Sequence, residues 1–348
     1  MTAVVGADDE IGRVFERLHD NGVGIAVVVR GDVGGGGGVV GTISDGDIRR
    51  AHLLGRGLTT KVSEVMGDDP AIVEPETPDD EVRALLERRR LPAAAVVEGG
   101  RLAGLRHLDE VGGHQPPVTA VILAGGRGQR LRPLTDKVPK PLLTVGRTTI
   151  VERLLEGLWA AGVADVYLSV NYKAEVFEER LGDGEGYGVH LRYLRERTEL
   201  NTAGPLSLLP ERPSGPILVM NADQVTALHF ARLVDYHRQQ AAAITVGTFD
   251  YAVQVPYGVL HLEGDRIIGI EEKPTLHRPC NAGIYVLEPE VVGLVPPETF
   301  FGMPSLVELV LARGGKVVSF PILEKFIDIG TLEELEAALV LFATGEEV

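Results

Sequence analysis

Two rhythms of apolar residues alternate along the second part of the chain. TAVILA (119–124), VYLSV (166–170), VHLRYL (189–194), PILVM (216–220) and AAITVG (242–247) are apolar runs of strand length. After the first run, Ile150, Val151, Leu154, Leu155 and Leu158 recur at helical spacing behind Thr149-x-x-Glu152, a capping box, and Gly162 ends that helix. Thr331-x-x-Glu334 opens a last helix, with Leu332, Leu335, Leu339 and Phe342 on one face. Strands alternating with helices predict an α/β sheet that is largely parallel. Ligands of open α/β sheets sit beyond the carboxyl ends of the strands. A glycine-rich loop after TAVILA, Asn171 and Asn221-Ala222-Asp223 all fall at such ends. The stretch VLHLEGDRIIGIEE reads as a hairpin turning at Gly264-Asp265.

The first part follows another plan, with a weak internal repeat. Residues 24–48 give a strand (GIAVVV), a glycine-rich turn (31–38), a second strand (VVGTIS) and a helix start (DGDIRRA). Residues 93–111 give AAAVVEGG and then RLAGLRHLDEV, and Gly41 and Gly104 align at an offset of 104 − 41 = 63 residues. Between them, Thr77-Pro78 begins a helix with Asp79, Asp80 and Glu81 in its first turn and Val82, Leu85 and Leu86 as its stripe. Arg88-Arg89-Arg90 close it, so acid comes first and base last, as the helix dipole favours. The arginine run is therefore a solvated helix end. Gly112-Gly113-His114-Gln115-Pro116-Pro117 is turn-forming and divides the chain into residues 1–115 and 116–348.

Composition narrows the choice. A chain of 348 residues holds two or three domains, and 44% apolar residues suffice for their cores. The net charge is 34 − 50 = −16, which argues against nucleic acid and anionic membrane as partners. An anionic substrate must then be held by local cations. The single cysteine, Cys280, excludes an intrachain disulfide and a thiolate metal cage, and is expected to be a small buried filler. No apolar run approaches the ~18 residues of a membrane span, and the expected compartment is the cytoplasm.

Residues 120–142, AVILAGGRGQRLRPLTDKVPKPL, supply those cations. A buried strand feeding Gly125-Gly126-Arg127-Gly128 places backbone N–H groups where an anion can approach. Arg130, Arg132 and Lys140 add charge and forked donors for phosphate oxygens. No Lys-Ser/Thr follows, so this is not a P-loop, and the GG-x-G spacing is not the dinucleotide fingerprint. The string resembles the GGxGxRL…PKP motif of the sugar-1-phosphate nucleotidyltransferases. VPYGVL (255–260), EEKP (271–274), NAGIYV (281–286) and FIDIG (326–330) match further motifs of that family in order. Residues 1–115, with VGTISDGDIRRA followed by VSEVM, look like a tandem pair of CBS domains. The whole is similar to CBS-containing sugar-1-phosphate guanylyltransferases, of the heptose-, glucosamine- and mannose-1-phosphate kinds.

That resemblance implies a Rossmann-like (GT-A-like) mixed α/β sheet behind an α+β tandem CBS domain, regulatory or dimerising. It implies transfer of a nucleotidyl group from an NTP to a sugar 1-phosphate, with Mg²⁺ as cofactor and pyrophosphate as leaving group. Asp223 and Asp328 would hold the metal, Arg130 and the glycine loop the triphosphate, and Lys140 would neutralise charge near the reacting phosphates. Leu123, Ala124, Gly125, Gly126, Gly128, Glu196, Asn201 and Thr202 would surround the nucleotide. Gly258, Glu272, Lys273 and Asn281 would meet the sugar and its phosphate. Glu196 falls at the base-reading position, and an ionised carboxylate only accepts hydrogen bonds. It therefore favours guanine, which offers N1–H and N2–H₂ side by side, so GTP is the expected donor. UTP, dTTP, CTP and ATP remain alternatives, as does a catalytically silent regulatory protein that only binds nucleotide sugar. Ser44 and Asp47 match the Ser/Thr and Asp with which CBS domains hold an adenine nucleotide, whereas the second repeat has His107 and Glu110. Related CBS pairs self-associate, so a homo-oligomer is expected. Three positions depart from the family pattern: Asn201 for Gly, Ala222 for Gly and Gly302 for Asp.

Overall fold

The computed structural model describes residues 4–20, 24–31, 38–67, 69–113 and 115–342. His114 and positions 32–37 of the glycine-rich turn lie outside them.

The repeat is real in three dimensions. The first unit has strands β1 (Val4–Gly6), β2 (Ile25–Arg30) and β3 (Gly38–Ser44) in one sheet, with helices α1 (Ile11–Asp20) and α2 (Asp45–Leu53). The second has β4 (Ile72–Val73), β5 (Ala93–Glu98) and β6 (Arg101–His107), with α3 (Asp79–Arg89). In each sheet the first strand pairs parallel and the last antiparallel. Val28 faces Gly41 and Val96 faces Gly104, and each pair precedes a bulge. Gly41 is required sterically: a Cβ there would lie 2.6 Å from the Gly67 carbonyl. The second repeat ends in a turn after β6 where the first builds α2. The connector is tied down, since Arg238 donates to the Gln115 side chain and, at 2.7 Å, to the Pro116 carbonyl.

The remainder contains β7 (Thr119–Leu123), β8 (Thr144–Val145), β9 (Thr148–Thr149), α4 (Ile150–Ala160), β10 (Asp165–Val170), α5 (Ala174–Leu181) and β11 (His190–Arg195). β12 (Ile217–Asn221), β13 (Gln224–Thr226), α6 (Phe230–Gln240), β14 (Ile244–Gln254), β15 (Val259–Glu263), β16 (Arg266–Glu271) and β17 (Thr275–Leu287) follow. α7 (Pro289–Val292), α8 (Met303–Ala312), β18 (Val317–Pro321), β19 (Phe326–Asp328) and α9 (Leu332–Phe342) complete it. Seven strands form one sheet in the order β11-β10-β7-β12-β17-β14-β18. β17 alone runs antiparallel to its neighbours, so the sheet is mixed but mostly parallel, as the alternation predicts.

Both faces of the sheet are covered, which is why its strands read as near-continuous apolar runs. Along β7, Ala120 and Ile122 enter one core with Leu154, Leu155 and Leu158 of α4, while Val121 enters the other with Leu306 and Val310 of α8. Each fully buried Val, Leu or Ile among them contributes roughly 1.5–3 kcal/mol. Thr149 caps α4 reciprocally with Glu152. The α9 stripe is narrower than its spacing suggests: Leu335 and Ala338 are buried, but Leu332 and Leu339 face solvent. Cys280 is another correction, for it is half-buried on β17 opposite Phe249. There β14 and β17 have left the sheet as a two-stranded arm. The arm and the β15–β16 hairpin beyond it leave Tyr257, Leu262, Ile267, Ile268 and Ile270 largely exposed. Among the described residues no helix is long and apolar enough to cross a membrane.

Candidate active site

A cleft of about 590 Å³ opens at the carboxyl ends of β7, β10 and β12. The glycine loop forms one wall, with Arg130 and Lys140 behind it; Glu196–Glu199, Asn201 and Thr202 form another; Asn221–Asp223 and Gly330 close the floor. Arg132 is not among these residues. It turns outward and pairs with Asp136 at 3.3 Å, so the loop region brings two of its three arginines, Arg127 and Arg130, to the cleft.

Gly125 and Gly128 of the loop each have a local reason, whereas a Cβ on Gly126 would meet only open space. A Cβ on Gly125 would sit 2.6 Å from the Glu196 carboxylate. Gly128 has φ +59, and a Cβ there would press on Thr135 and Lys140 at 3.0 and 3.1 Å. The Thr135 hydroxyl donates to the Gly128 carbonyl at 2.8 Å and pins the loop. Gly330 seats Arg130: a Cβ there would lie 2.9–3.1 Å from the guanidinium.

Lys140, almost buried, reaches Asp223 with Nζ 2.8 Å from Oδ2. The other oxygen, Oδ1, is buried and has no protein partner. Asp223 follows β12 directly, and β13, starting at Gln224, pairs antiparallel with β19 so that Gln224 faces Asp328. The Ile329 N–H donates to the Asp223 carbonyl at 2.9 Å. One short ribbon therefore carries both aspartates. Asp328 is exposed and is not among the residues lining the cleft; burial of its carboxyl at the ribbon, then the neighbouring Asp223 carboxylate, push that carboxyl up to about 6. Two adjacent carboxylates, one with a buried oxygen to spare, are hard oxygen donors of the kind Mg²⁺ takes beside substrate phosphates. No group of three or more metal-ligating side chains occurs among the described residues, so phosphate oxygens or water would complete such a shell.

Glu196 is fixed before any ligand arrives. Its carboxylate accepts from the Ser169 hydroxyl at 2.7 Å and the Leu200 N–H at 3.0 Å, and Asn171 donates to its carbonyl at 3.0 Å. Its neighbour Arg195 pairs with Glu178 at 2.5 Å instead. Ser169 escaped the sequence reading; its signal is a lone hydroxyl inside the apolar run VYLSV, where it is fully buried.

The three departures fit the backbone they meet. Asn201 has φ +62, the left-handed region that Gly and Asn tolerate best. Gly302 stands beside it: a Cβ there would lie 3.1 Å from Asn201 Nδ2, so the larger residue at 201 occupies room vacated at 302. The Thr202 hydroxyl accepts the Met303 N–H at 2.8 Å and ties this loop to the start of α8. Ala222 is buried and donates its N–H to the Leu123 carbonyl at 3.1 Å.

The residues expected around the sugar are not gathered into this cleft. Gly258, Glu272 and Lys273 lie at the base of the exposed hairpin, with a Glu272 oxygen 3.0 Å from where a Gly258 Cβ would be. Asn281 lies nearer. Its side-chain oxygen Oδ1 accepts the Gly283 N–H at 2.9 Å, and a Cβ on Gly283, at φ +70, would collide with the Asn221 and Gln224 side chains. Ser44 and Asp47 sit apart from the cleft and cap α2. Ser44 Oγ accepts the Asp47 N–H at 3.2 Å, and the Asp47 carboxylate accepts the Ser44 N–H at 2.8 Å. His107 and Glu110 repeat half of that arrangement.

Comparison with known proteins assigns a family to each part of the chain. The sequence profile for nucleotidyl transferases matches residues 119–343, more than half of the chain, and that for CBS domains matches 2–53 and 62–105. The chain belongs to the nucleotidyl transferase family, and it carries a CBS pair ahead of the family domain. Among its relatives are a mannose-1-phosphate guanyltransferase of Yarrowia lipolytica, 40% identical over 50% of each chain, and one of Candida albicans, 33% identical over 65% of this chain and 64% of that one. A mannose-1-phosphate guanylyltransferase of Mycobacterium tuberculosis is 35% identical over 51% of each. The chain thus spans about half to two thirds of the length of these relatives. Among solved structures, HddC from Yersinia pseudotuberculosis superposes with a TM-score of 0.51 at 24% identity, over 64% of this chain and 99% of that one, and shares its fold.

Proposed function

We propose that this protein is a sugar-1-phosphate guanylyltransferase, converting GTP and a sugar 1-phosphate to a GDP-sugar and pyrophosphate. The observation that carries the reading is the Lys140–Asp223 contact, set in one cleft with the glycine loop, Arg130 and Glu196. A phosphate oxygen of the sugar 1-phosphate attacks the α-phosphorus in line, the bond to the bridging oxygen breaks, and pyrophosphate departs. Such transfer needs positioning and charge neutralisation more than covalent chemistry. The loop amides and Arg130 hold the triphosphate. Lys140 neutralises charge on the reacting phosphates and orients Asp223 through its 2.8 Å contact. Asp223 and Asp328 would hold Mg²⁺, which would supply Lewis-acid stabilisation of the phosphate oxygens.

The fixed Glu196 carboxylate supports guanine, whose paired N–H donors match an acceptor-only group. The guanyltransferases among the relatives support the same base and make mannose 1-phosphate the first acceptor to try. The sugar motifs at the hairpin base are part of the proposal through family resemblance, and self-association through the CBS pair is proposed on the same ground. A silent binding protein loses appeal, since Asn201, Ala222 and Gly302 are accommodated without disturbing the cleft.

The test is pyrophosphate release with Mg²⁺, pairing GTP, ATP, CTP, UTP and dTTP with hexose, hexosamine and heptose 1-phosphates. Release with GTP alone is expected. Release with another nucleotide keeps the chemistry and refutes the Glu196 assignment. Binding of nucleotide sugar without release in any pairing refutes the transferase reading.

A further inference from the structure

Between β18 and β19 the chain leaves the catalytic sheet and enters the first CBS unit, where Leu323 packs against the core of Val5, Ile11, Ile43 and Ile48. Arg49 of α2 meets it there. The Arg49 guanidinium is fully buried, 4.0 Å from the Phe320 ring centroid and 5.3 Å from that of Phe15. All five of its N–H donors are engaged. Nε and Nη2 donate to Asp45 at 2.6 and 3.1 Å, Nη1 and Nη2 to Glu324 at 3.2 and 2.6 Å, and Nη1 also to the Pro321 carbonyl at 2.5 Å. Arg232 of α6 lies 3.5 Å from Asp45, so the interface holds two guanidinium groups and two carboxylates. Breaking a buried pair of this kind leaves an uncompensated charge and is strongly destabilising.

Glu324 is joined to the catalytic ribbon without slack. It precedes Asp328 by 328 − 324 = 4 residues, ~13 Å of extended chain. Its carboxylate accepts the Leu323 N–H at 3.0 Å. The next carbonyl, of Lys325, accepts the Ala227 N–H at 2.9 Å and the Thr226 hydroxyl at 3.2 Å. Phe326, Ile327 and Asp328 are then held in register against Thr226, Val225 and Gln224.

We propose that Arg49 is a positioning residue for the transferase site: by fixing Glu324 it sets the β13–β19 ribbon and hence the placement of Asp328 against Asp223. The first CBS module is then a component of the metal site as well as a neighbour of it. This rests on the reading of the two aspartates as the Mg²⁺ pair.

The test uses the full chain and four proteins: the unaltered one, Arg49→Lys (charge kept, fork lost), Glu324→Gln (shape kept, charge lost) and Asp328→Asn. Three quantities are read below the melting transition: Mn²⁺ affinity with GTP present, by electron paramagnetic resonance; the Mg²⁺ concentration for half-maximal pyrophosphate release; and KM for the sugar phosphate. The folded Arg49→Lys and Glu324→Gln proteins are expected to bind Mn²⁺ about 10-fold more weakly and to need correspondingly more Mg²⁺, as when a group supporting a metal ligand is removed. Their KM for the sugar phosphate is expected to be unchanged. A lowered melting temperature with unaltered Mn²⁺ affinity would show a purely structural role and overturn the proposal. Should either variant not fold, hydrogen exchange on the unaltered protein decides: the Ile329 amide is expected to open in the same step as the α2 amides, and a separate, easier opening overturns the link. Asp328→Asn separates the two claims. If it leaves Mn²⁺ binding intact, the metal-pair reading fails; if it alone weakens binding, only the role of Arg49 fails.

Discussion

Asp223 gives one oxygen to Lys140 at 2.8 Å and leaves Oδ1 buried without a partner. An arrangement that leaves a buried acceptor unsatisfied invites a cation, and removing either partner removes an electrostatic stabiliser. Lys140→Ala and Asp223→Ala are each expected to lower kcat by at least ~100-fold with little change in melting temperature, measured by pyrophosphate release and calorimetry. Glu196 makes a subtler prediction. Glu196→Gln replaces one acceptor oxygen with a donor NH₂, so the preference for GTP over UTP in kcat/KM should fall about 10-fold or more, one good hydrogen bond to a charged group being worth roughly 1.5–3 kcal/mol. At this scale the sequence was readable where chemistry is concentrated in a short motif: Arg130, Lys140 and the glycines stand within 125–140. Ser169 was not, because a hydroxyl in an apolar strand looks like any strand residue until Glu196 is folded onto it. The relation between Asn201 and Gly302 was equally hidden, since each departure makes sense only beside the other.

Among the elements, α4 joins sequence to stability most directly. Glu152, its third residue, accepts the Thr149 N–H at 2.8 Å, Arg180 Nε at 3.1 Å and the Tyr187 hydroxyl at 2.9 Å. Burial opposes its charge, but these donors together outweigh burial and hold the carboxyl down at about 2. A depressed carboxyl stabilises the fold above its unfolded value of 4.5, and that stabilisation is lost as pH falls toward 2. Glu152→Gln should therefore cost up to about 3 kcal/mol at pH 7 and progressively less below pH 4.5, so that the two stability curves converge in acid. Denaturant titrations across that range check it. Capping boxes were legible because they are local in sequence. The exposed arm was not: VLHLEGDRIIGIEE announces a hairpin, but nothing in its alternation says that no third strand will join it.

For the whole molecule, glycines and prolines suggest a division at 112–117, whereas nothing in the sequence points to the joint between the parts. Arg49 belongs to DGDIRRA and Glu324 to ILEKF, segments of which neither points to the other in sequence; they meet across 275 positions. An interface built on a buried guanidinium, with Leu323 inserted into the neighbouring core, couples the two parts thermodynamically. Scanning calorimetry of the full chain at neutral pH should accordingly show one transition for the first CBS unit and the catalytic sheet; two well-separated peaks would contradict it.

The same joint governs how the chain can be rearranged by recombination. A CBS pair attached through a flexible tether can be moved between proteins as a cassette, but this one carries a cation whose acceptors belong to its host. Grafted onto a transferase lacking the equivalents of Glu324 and the Pro321 carbonyl, α2 would bring a guanidinium with three of its five hydrogen bonds missing. The two halves are therefore expected to travel as one heritable unit, and a designer who wants to swap the module must transplant residues 320–324 with it.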